Sequence, residues 1–205
     1  MNRYIFKPYK VLDLFSGLGG FSSAFWDDEN CHVIRVDNNP SFDPTICIDI
    51  NKVDELIKIL EGWGHDKFDL ILASPPCIEF YKVGAPWFED YYGKEPDMSL
   101  LLSTMKIINH FSPPIYVIEN TKSGKKWIEP HIGNISHRIG PYFLWGHFPK
   151  FDCVVKNKSD GEAWSTDPLR SAKRAMIPYE LSKALLEAVK NQTTLIDYLD
   201  YEGVC

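Results

Sequence analysis

"LDLFSGLGGFSSAFW" (residues 12–26) sets four small residues, Ser16, Gly17, Gly19 and Gly20, between an apolar run and an amphipathic one. The residues leading into it, "YKVLDLF" (9–15), read as a buried strand, and those after Gly20 read as a helix. A glycine turn between strand and helix brings backbone N–H groups close to a ligand, because no side chain stands in the way. The stretch is not G-x-G-x-x-G but D-x-F-S-G-x-G-G, so the turn alone does not say whether that ligand is a phosphate.

Short apolar strands alternate with helical stretches from here to residue 120. "HVIRVD" (32–37), "ICIDI" (46–50), "FDLILAS" (68–74) and "IYVIEN" (115–120) read as strands. Val53, Leu56, Ile57 and Leu60 recur at helical spacing before Gly62 and Gly64, and "MSLLLSTMKIINHF" (98–111) is a further helix stopped by Pro113 and Pro114. Near-continuous apolar strands between helices predict an α/β fold: a Rossmann-like, mostly parallel sheet with helices on both faces. After residue 120 the alternation weakens. "RIGPYFLWG" (138–146) and "FDCVVK" (151–156) are expected to form an antiparallel edge, residues 157–174 are polar and turn-rich, and an amphipathic helix is expected from Pro178 to about Lys190. No repeat or linker divides the chain, so residues 1–205 are expected to form one domain.

Ligands of such sheets gather beyond the carboxyl ends of the strands, and the chemistry-bearing residues fall there. Asp37 ends the second strand, where a carboxylate can accept hydrogen bonds from both hydroxyls of a ribose. Asp49, ending the third, is placed to meet an adenine edge. With the glycine turn in register, the pair favours an adenosine-containing ligand, although each acid alone reads first as an ordinary strand-end cap or turn residue. In "ASPPCIEF" (73–80) two prolines stiffen the exit of the fourth strand and hold Cys77 at the ligand edge, the position of a nucleophile. Glu119–Asn120 end the neighbouring fifth strand, and a glutamate in apolar surroundings can hold a proton near neutral pH. A cysteine beside a proton-donating glutamate suits conjugate addition to an electron-poor ring.

"DLFSGLGGFS", "SPPC" and "EN", in that order on strands one, four and five, resemble the cytosine-C5 DNA methyltransferase family, and "RAMIPYELSKALLEAV" (174–189) is similar to its closing motif. The resemblance implies the S-adenosylmethionine-dependent methyltransferase fold and that cofactor. Asp13, Phe15, Ser16, Gly17, Leu18, Gly19 and Gly20 would form the loop around its methionine part, Asp37 and Asn38 the ribose site, Asp49 and Ile50 the adenine site, with Pro75 alongside. It further implies that Cys77 attacks C6 of cytosine, that Glu119 engages N3 and the amine, and that the base is flipped out of the duplex. The family's Gln-Arg-Arg motif is reduced here to "SHRIG", leaving Arg138 as its partial equivalent, and Arg174–Ala175 stand where the family has Gly-Asn. The family's sizeable target-recognition domain is replaced by about 25 polar residues, 150–174.

DNA containing cytosine is therefore the expected partner. RNA or a free nucleotide is an alternative, as is a non-catalytic cofactor-binding subunit, and a protein partner supplying target recognition is compatible with the short insertion. Between Cys77 and the next helix, "IEFYKVGAPWFEDYYGKEPD" is expected to be a long loop, in the family a mobile one. Its aromatics would stack on bases or pack locally, and Lys82 is best placed for a phosphate.

The formal charge of −6 argues against a chain coated in DNA-binding charge, yet residues 122–174 carry ten Lys and Arg against five Asp and Glu, a local +5 that leaves −11 elsewhere. A polyanion would meet one face only; a lightly basic solvated surface explains the count as well. Five cysteines without a C-x-x-C pair are no disulfide framework, and His131, His137, His147 and Cys153 have no recognised metal spacing, so no metal is expected. "MNRYIFKPYK" lacks a signal-peptide core and no apolar run reaches membrane length, so no membrane partner is expected. With the resemblance, this makes a cytoplasmic protein of a bacterial, archaeal or phage-infected cell the expectation.

Overall fold

The structure, a computed structural model, describes residues 8–155 and 167–202. Seven strands form one sheet: β1 (Tyr9–Leu14), β2 (Cys31–Asp37), β3 (Ile46–Cys47), β4 (Leu70–Ala73), β5 (Ile115–Asn120), β6 (His137–Ile139) and β7 (Tyr142–His147). Their order is β3-β2-β1-β4-β5-β7-β6. β1 to β5 pair in parallel, while β7 runs antiparallel to β5 and to β6. The fold is thus the expected α/β arrangement with an antiparallel edge. The chain winds outward in both directions from β1 and β4, which makes the crevice beyond their carboxyl ends the switch point where such sheets bind ligands.

The strands are apolar on both sides because both sides are covered. Leu12, Leu14, Ile34, Val36, Ile71 and Ala73 face α2 (Val53–Gly62) and α4 (Ser99–Phe111) in one buried cluster. The alternate residues Val11, Val33, Leu70, Leu72 and Val117 face α1 (Ser23–Trp26) and α7 (Tyr179–Glu202) in the other, against Phe25, Leu181, Leu185 and Val189. Ser182 stitches α7 to α1: its hydroxyl donates to Phe21 O (2.7 Å) and accepts from Ala24 N (3.1 Å). No helix among the described residues is long and apolar enough to cross a membrane.

Four local expectations are corrected. The third strand stops at Cys47, because the chain turns at once: Ile48 N still donates to Asp37 O, and Lys52 N then donates to Asp49 O. The edge pair is formed within residues 137–147 as a β6–β7 hairpin; the left-handed Gly140 (φ +56°) and Pro141 turn it, and residues 151–155 are irregular. The segment after Cys77 begins with α3 (Ile78–Gly84), since Phe80 and Val83 are three apart and both buried, with Glu79 and Lys82 paired at 2.8 Å on the outside. α7 continues past Lys190 to Glu202, there being no Gly or Pro to stop it before Gly203. Two helices were not foreseen: α5 (Lys125–Ile132) and α6 (Arg170–Ala175), the latter in the stretch read as turn-rich. The rest of that stretch, 156–166, lies outside the described residues.

Candidate active site

At the end of β1 the backbone enters the left-handed region at Phe15 (φ +60°), Gly17 (+50°) and Gly19 (+79°). Phe15 is not a glycine, so about 1 kcal/mol of strain is held in place by the surrounding hydrogen bonds. Ser16 N donates to Val36 O (3.1 Å), Gly17 N to Asp37 Oδ2 (2.9 Å) and Gly19 N to Ser16 O (2.7 Å). Asp37 Oδ1 accepts from Asn39 N at 2.9 Å, so one carboxylate fixes both loops and keeps free lone pairs toward the crevice. Gly20 is small for a different reason. A Cβ there would lie 2.4 Å from Ile177 O, so the segment before α7 closes directly over the turn.

The turn, the β2 and β3 ends and residues 171–177 enclose a cavity of about 410 Å³. Phe15, Ser16, Gly17, Leu18, Gly20, Asp37, Asn38, Asp49 and Ile50 all line it. The Ser16 hydroxyl is buried there without a hydrogen-bond partner. Sequence reasoning missed Phe42, Leu100 and the residues Ser171, Ala172, Ala175 and Met176, although "RAMIP" marked where the last of these lie.

Asp13, Gly19 and Pro75 do not line this cavity. Strand alternation sends Asp13 to the opposite face, where it is fully buried and neither oxygen has a hydrogen-bond partner. Burial pushes its carboxyl up to about 7, with Ser22 and the Arg35 guanidinium close enough to pull it back in part. Gly19 is occupied from behind: Arg35 Nη2 donates to its carbonyl (3.2 Å), Arg35 Nε donates to Ser22 Oγ (3.0 Å), and the guanidinium lies 4.3 Å from the Trp26 ring centre.

Pro75 belongs to a second cavity of about 310 Å³, lined also by Cys77, Glu119, Asn120, Tyr142 and Arg174. Ser74, Pro76 and Ala175 line both cavities, so only small side chains separate them. Ser74 Oγ donates to Glu119 Oε2 (2.5 Å), and Asn120 Nδ2 donates to Pro75 O (2.9 Å), tying the proline turn to the end of β5. Cys77 caps the start of α3. Desolvation first, and the charge of Glu119 second, push its thiol above the usual range. The Tyr142 phenol is raised to about 12 by the same two causes.

Arg138 is not in this site. Its Nε donates to Gly140 O (2.9 Å) and its guanidinium lies 5.1 Å from the Phe143 ring centre, held there by the tight β6–β7 turn. Arg174 supplies the cation of the cavity lining. Lys82, expected on a phosphate, pairs with Glu79 and lies 4.9 Å from the Tyr91 ring centre. Past β5, Lys122, Ser123, Lys125 and Lys126 surround an open depression. Tyr81, Trp87, Tyr91 and Tyr92 of the α3 region are exposed, and Phe80 is buried.

Curated relatives place this geometry. Type II methyltransferase M.NgoMIV of Neisseria gonorrhoeae is 23% identical over 66% of this chain and 42% of its own length. Type II methyltransferase M.HgiGI of Herpetosiphon aurantiacus is 28% identical over 57% of this chain and 93% of its own. The human tRNA (cytosine(38)-C(5))-methyltransferase is 32% identical over 38% of this chain and 22% of its own. The chain spans half the length, or less, of most curated relatives it matches. A family model described as C-5 cytosine-specific DNA methylase matches residues 9–126, from β1 into α5. That match takes in the glycine turn, Cys77 and Glu119 and more than half of the sequence, and the protein belongs to the C-5 cytosine-specific DNA methylase family.

Proposed function

We propose that the chain transfers a methyl group from S-adenosylmethionine to C5 of cytosine in DNA through a covalent Cys77–C6 adduct. The observation that carries the reading is the pair of adjoining cavities, one with Asp37 and the glycine turn, the other with Cys77 and Glu119, parted only by Ser74, Pro76 and Ala175. The first fits the cofactor: the orphaned Ser16 hydroxyl offers a donor, Asp37 offers acceptors to a ribose, and Gly17 lines the cavity with open space beside it. When bound, S-adenosylmethionine supplies an electrophilic methyl on a sulfonium.

The chain's own residues then do the following. The Cys77 thiol gives up its proton, by way of solvent, to the Glu119 carboxylate, and the sulfur forms a bond to C6; the C5–C6 π pair moves to C4–C5, and the C4–N3 pair moves onto N3, where Glu119 delivers that proton. Desolvation and the Glu119 charge favour the thiol form of Cys77 over the thiolate in the free protein. Ser74 and the Asn120–Pro75 bond hold Glu119 and the proline turn in register through that step. After transfer, loss of the C5 proton returns an electron pair to C5–C6 and expels the thiolate. The described residues act as one catalytic unit, since both buried clusters share the same sheet.

Cytosine fluorinated at C5 tests this, because the final elimination would have to expel F⁺ in place of a proton. Wild-type protein with cofactor and such DNA is expected to give a denaturation-resistant adduct, and Cys77→Ser none. An equal adduct from Cys77→Ser refutes the mechanism. The relative named for tRNA favours one second reading, the same chemistry on RNA. An adduct formed on RNA and not on DNA selects it.

A further inference from the structure

We propose that Arg35 is a positioning residue for the cofactor: from behind the glycine turn its guanidinium holds Gly19 and Ser22 in place, in competition with the buried carboxyl of Asp13. The role depends on S-adenosylmethionine occupying the cavity in front of the turn, as read above.

Asp13 and Arg35 are direct neighbours across the parallel β1–β2 pair, so both side chains leave the sheet on the same side. Opposite charges in that register ordinarily pair with each other. Here no hydrogen bond joins them. The guanidinium passes on to the turn, donating to Gly19 O at 3.2 Å and to Ser22 Oγ at 3.0 Å, and lies 4.3 Å from the Trp26 ring centre. It fills the place of a side chain on Gly19, where a Cβ would lie 2.4 Å from Arg35 Cζ. Ser16, Gly17, Leu18 and Gly20 of the same turn line the cofactor cavity and Arg35 does not, so Arg35 acts on the ligand only through the turn.

The state of Asp13 decides where the guanidinium rests. Both its oxygens lack a hydrogen-bond partner and the residue is fully buried, so it keeps its proton up to about 7. The charges acting on it are Arg35 and, from the end of β2, Asp37, with the Ser22 hydroxyl ahead of α1. β4 sets Leu72 beside it. On α7, Ser182 is committed to Phe21 and Ala24, while Lys183, Glu187 and Lys190 line a separate depression with Asp27 and Asp28. Asp27 is the other carboxylate acting on Arg35. Once Asp13 loses its proton it gives the guanidinium a second, charged place to rest, and time spent there is taken from Gly19. Cofactor affinity is therefore highest with Asp13 protonated and falls as pH rises through about 7.

The test is calorimetric titration of S-adenosylmethionine on both sides of that pH for wild type, R35M, R35K and D13N, with urea unfolding of each alongside. R35M keeps an unbranched stem against Trp26 and loses both donors; on the acid side it is expected to bind about tenfold more weakly, the worth of one charged hydrogen bond. R35K, a point charge without the planar fork, falls between. D13N keeps wild-type affinity on the acid side and loses less than wild type on the alkaline side. The difference between those two profiles separates Asp13 from the titration of the cofactor's own amine. If R35M does not fold, R35K and D13N decide by themselves. A merely structural arginine would lower the urea midpoint of its variants and leave the wild-type and D13N binding profiles parallel, and that result overturns the role. So does unchanged affinity in both Arg35 variants. A wild type that binds no cofactor removes the cofactor reading, and the role with it; the two failures are thereby told apart.

Discussion

Gly20→Ala is the most direct probe of how the cofactor cavity is closed. The added Cβ would meet Ile177 O at 2.4 Å, Met176 Cγ at 2.5 Å and Ile177 N at 3.0 Å. Carbon contacts relax near 3.5 Å, so residue 177 must retreat by about 1 Å. The Met176 side chain can swing aside, but the Ile177 backbone cannot: Ile177 is buried in the cluster with Leu181, and Ser182 is bonded to both Phe21 and Ala24. Overpacking of this kind costs about 1–3 kcal/mol. Gly17→Ala is the control, because no atom lies within 4 Å of its Cβ and only the φ of +50° opposes it, a cost of about 1 kcal/mol. Urea unfolding of both variants, with calorimetric titration of S-adenosylmethionine, separates steric closure from backbone strain. G20A is expected to be the less stable and to bind the cofactor at least about tenfold more weakly, equivalent to about 1.4 kcal/mol. Stability of G20A within about 0.5 kcal/mol of wild type, with unchanged binding, refutes the idea that residues 176–177 seal the turn.

Asp13 is raised from 3.8 to about 7, so between those values the folded state keeps a proton that the unfolded state has released. Stability should fall as pH rises through that window, by at most about 1.4 kcal/mol per unit, and level off above it. Asp13→Asn should lack that slope, and matching pH profiles for the two proteins would count against the burial argument. Glu119→Gln should have opposite effects on two assays: faster alkylation of Cys77 by iodoacetamide in the free protein, because a charge that raises the thiol is gone, and slower adduct formation on fluorinated DNA. Slower alkylation would contradict the stated cause of the raised thiol. Replacing Lys122, Lys125 and Lys126 together by Ala should weaken DNA binding alike on unrelated sequences and reduce the salt slope by up to about 3. An unchanged slope would place the phosphates elsewhere. Wild type is expected to methylate a short or degenerate target, since each bidentate base contact supplies only about 1–3 kcal/mol; nucleoside mass spectrometry of defined duplexes checks this.

The parallel half of the sheet was legible, apart from the length of its third strand, because its strands are short apolar runs, with Asp37 and Glu119–Asn120 ending two of them. What escaped depends on direction. Asp13 sits one residue from Leu12 and Leu14, and the two-residue period of a strand turns it to the α1 and α7 side. Arg138 and Arg174 are equally plausible cations in a string of letters. Only the Gly140 turn, which bends the first back onto Phe143, and the packing of Met176 and Ile177 on Gly20, close after the second, distinguish them. The helix after Cys77 was hidden for a third reason: Ile78 and Tyr81 stay exposed beside the buried Phe80 and Val83, so its apolar residues do not fall on one face.

The stitch between α7 and α1 bears on how a ribosome makes this protein. Residues are delivered in chain order, yet Leu181, Leu185 and Val189 are what cover Val11, Leu70 and Val117, and residues 171–177 are what roof the glycine turn. A nascent chain therefore carries one bare apolar sheet face, and a roofless cavity, until residues 171–189 have emerged. A stalled or prematurely released product would present that face to holdase chaperones and proteases and have no finished cofactor pocket. Quality control thus has a simple mark to read on an unfinished copy.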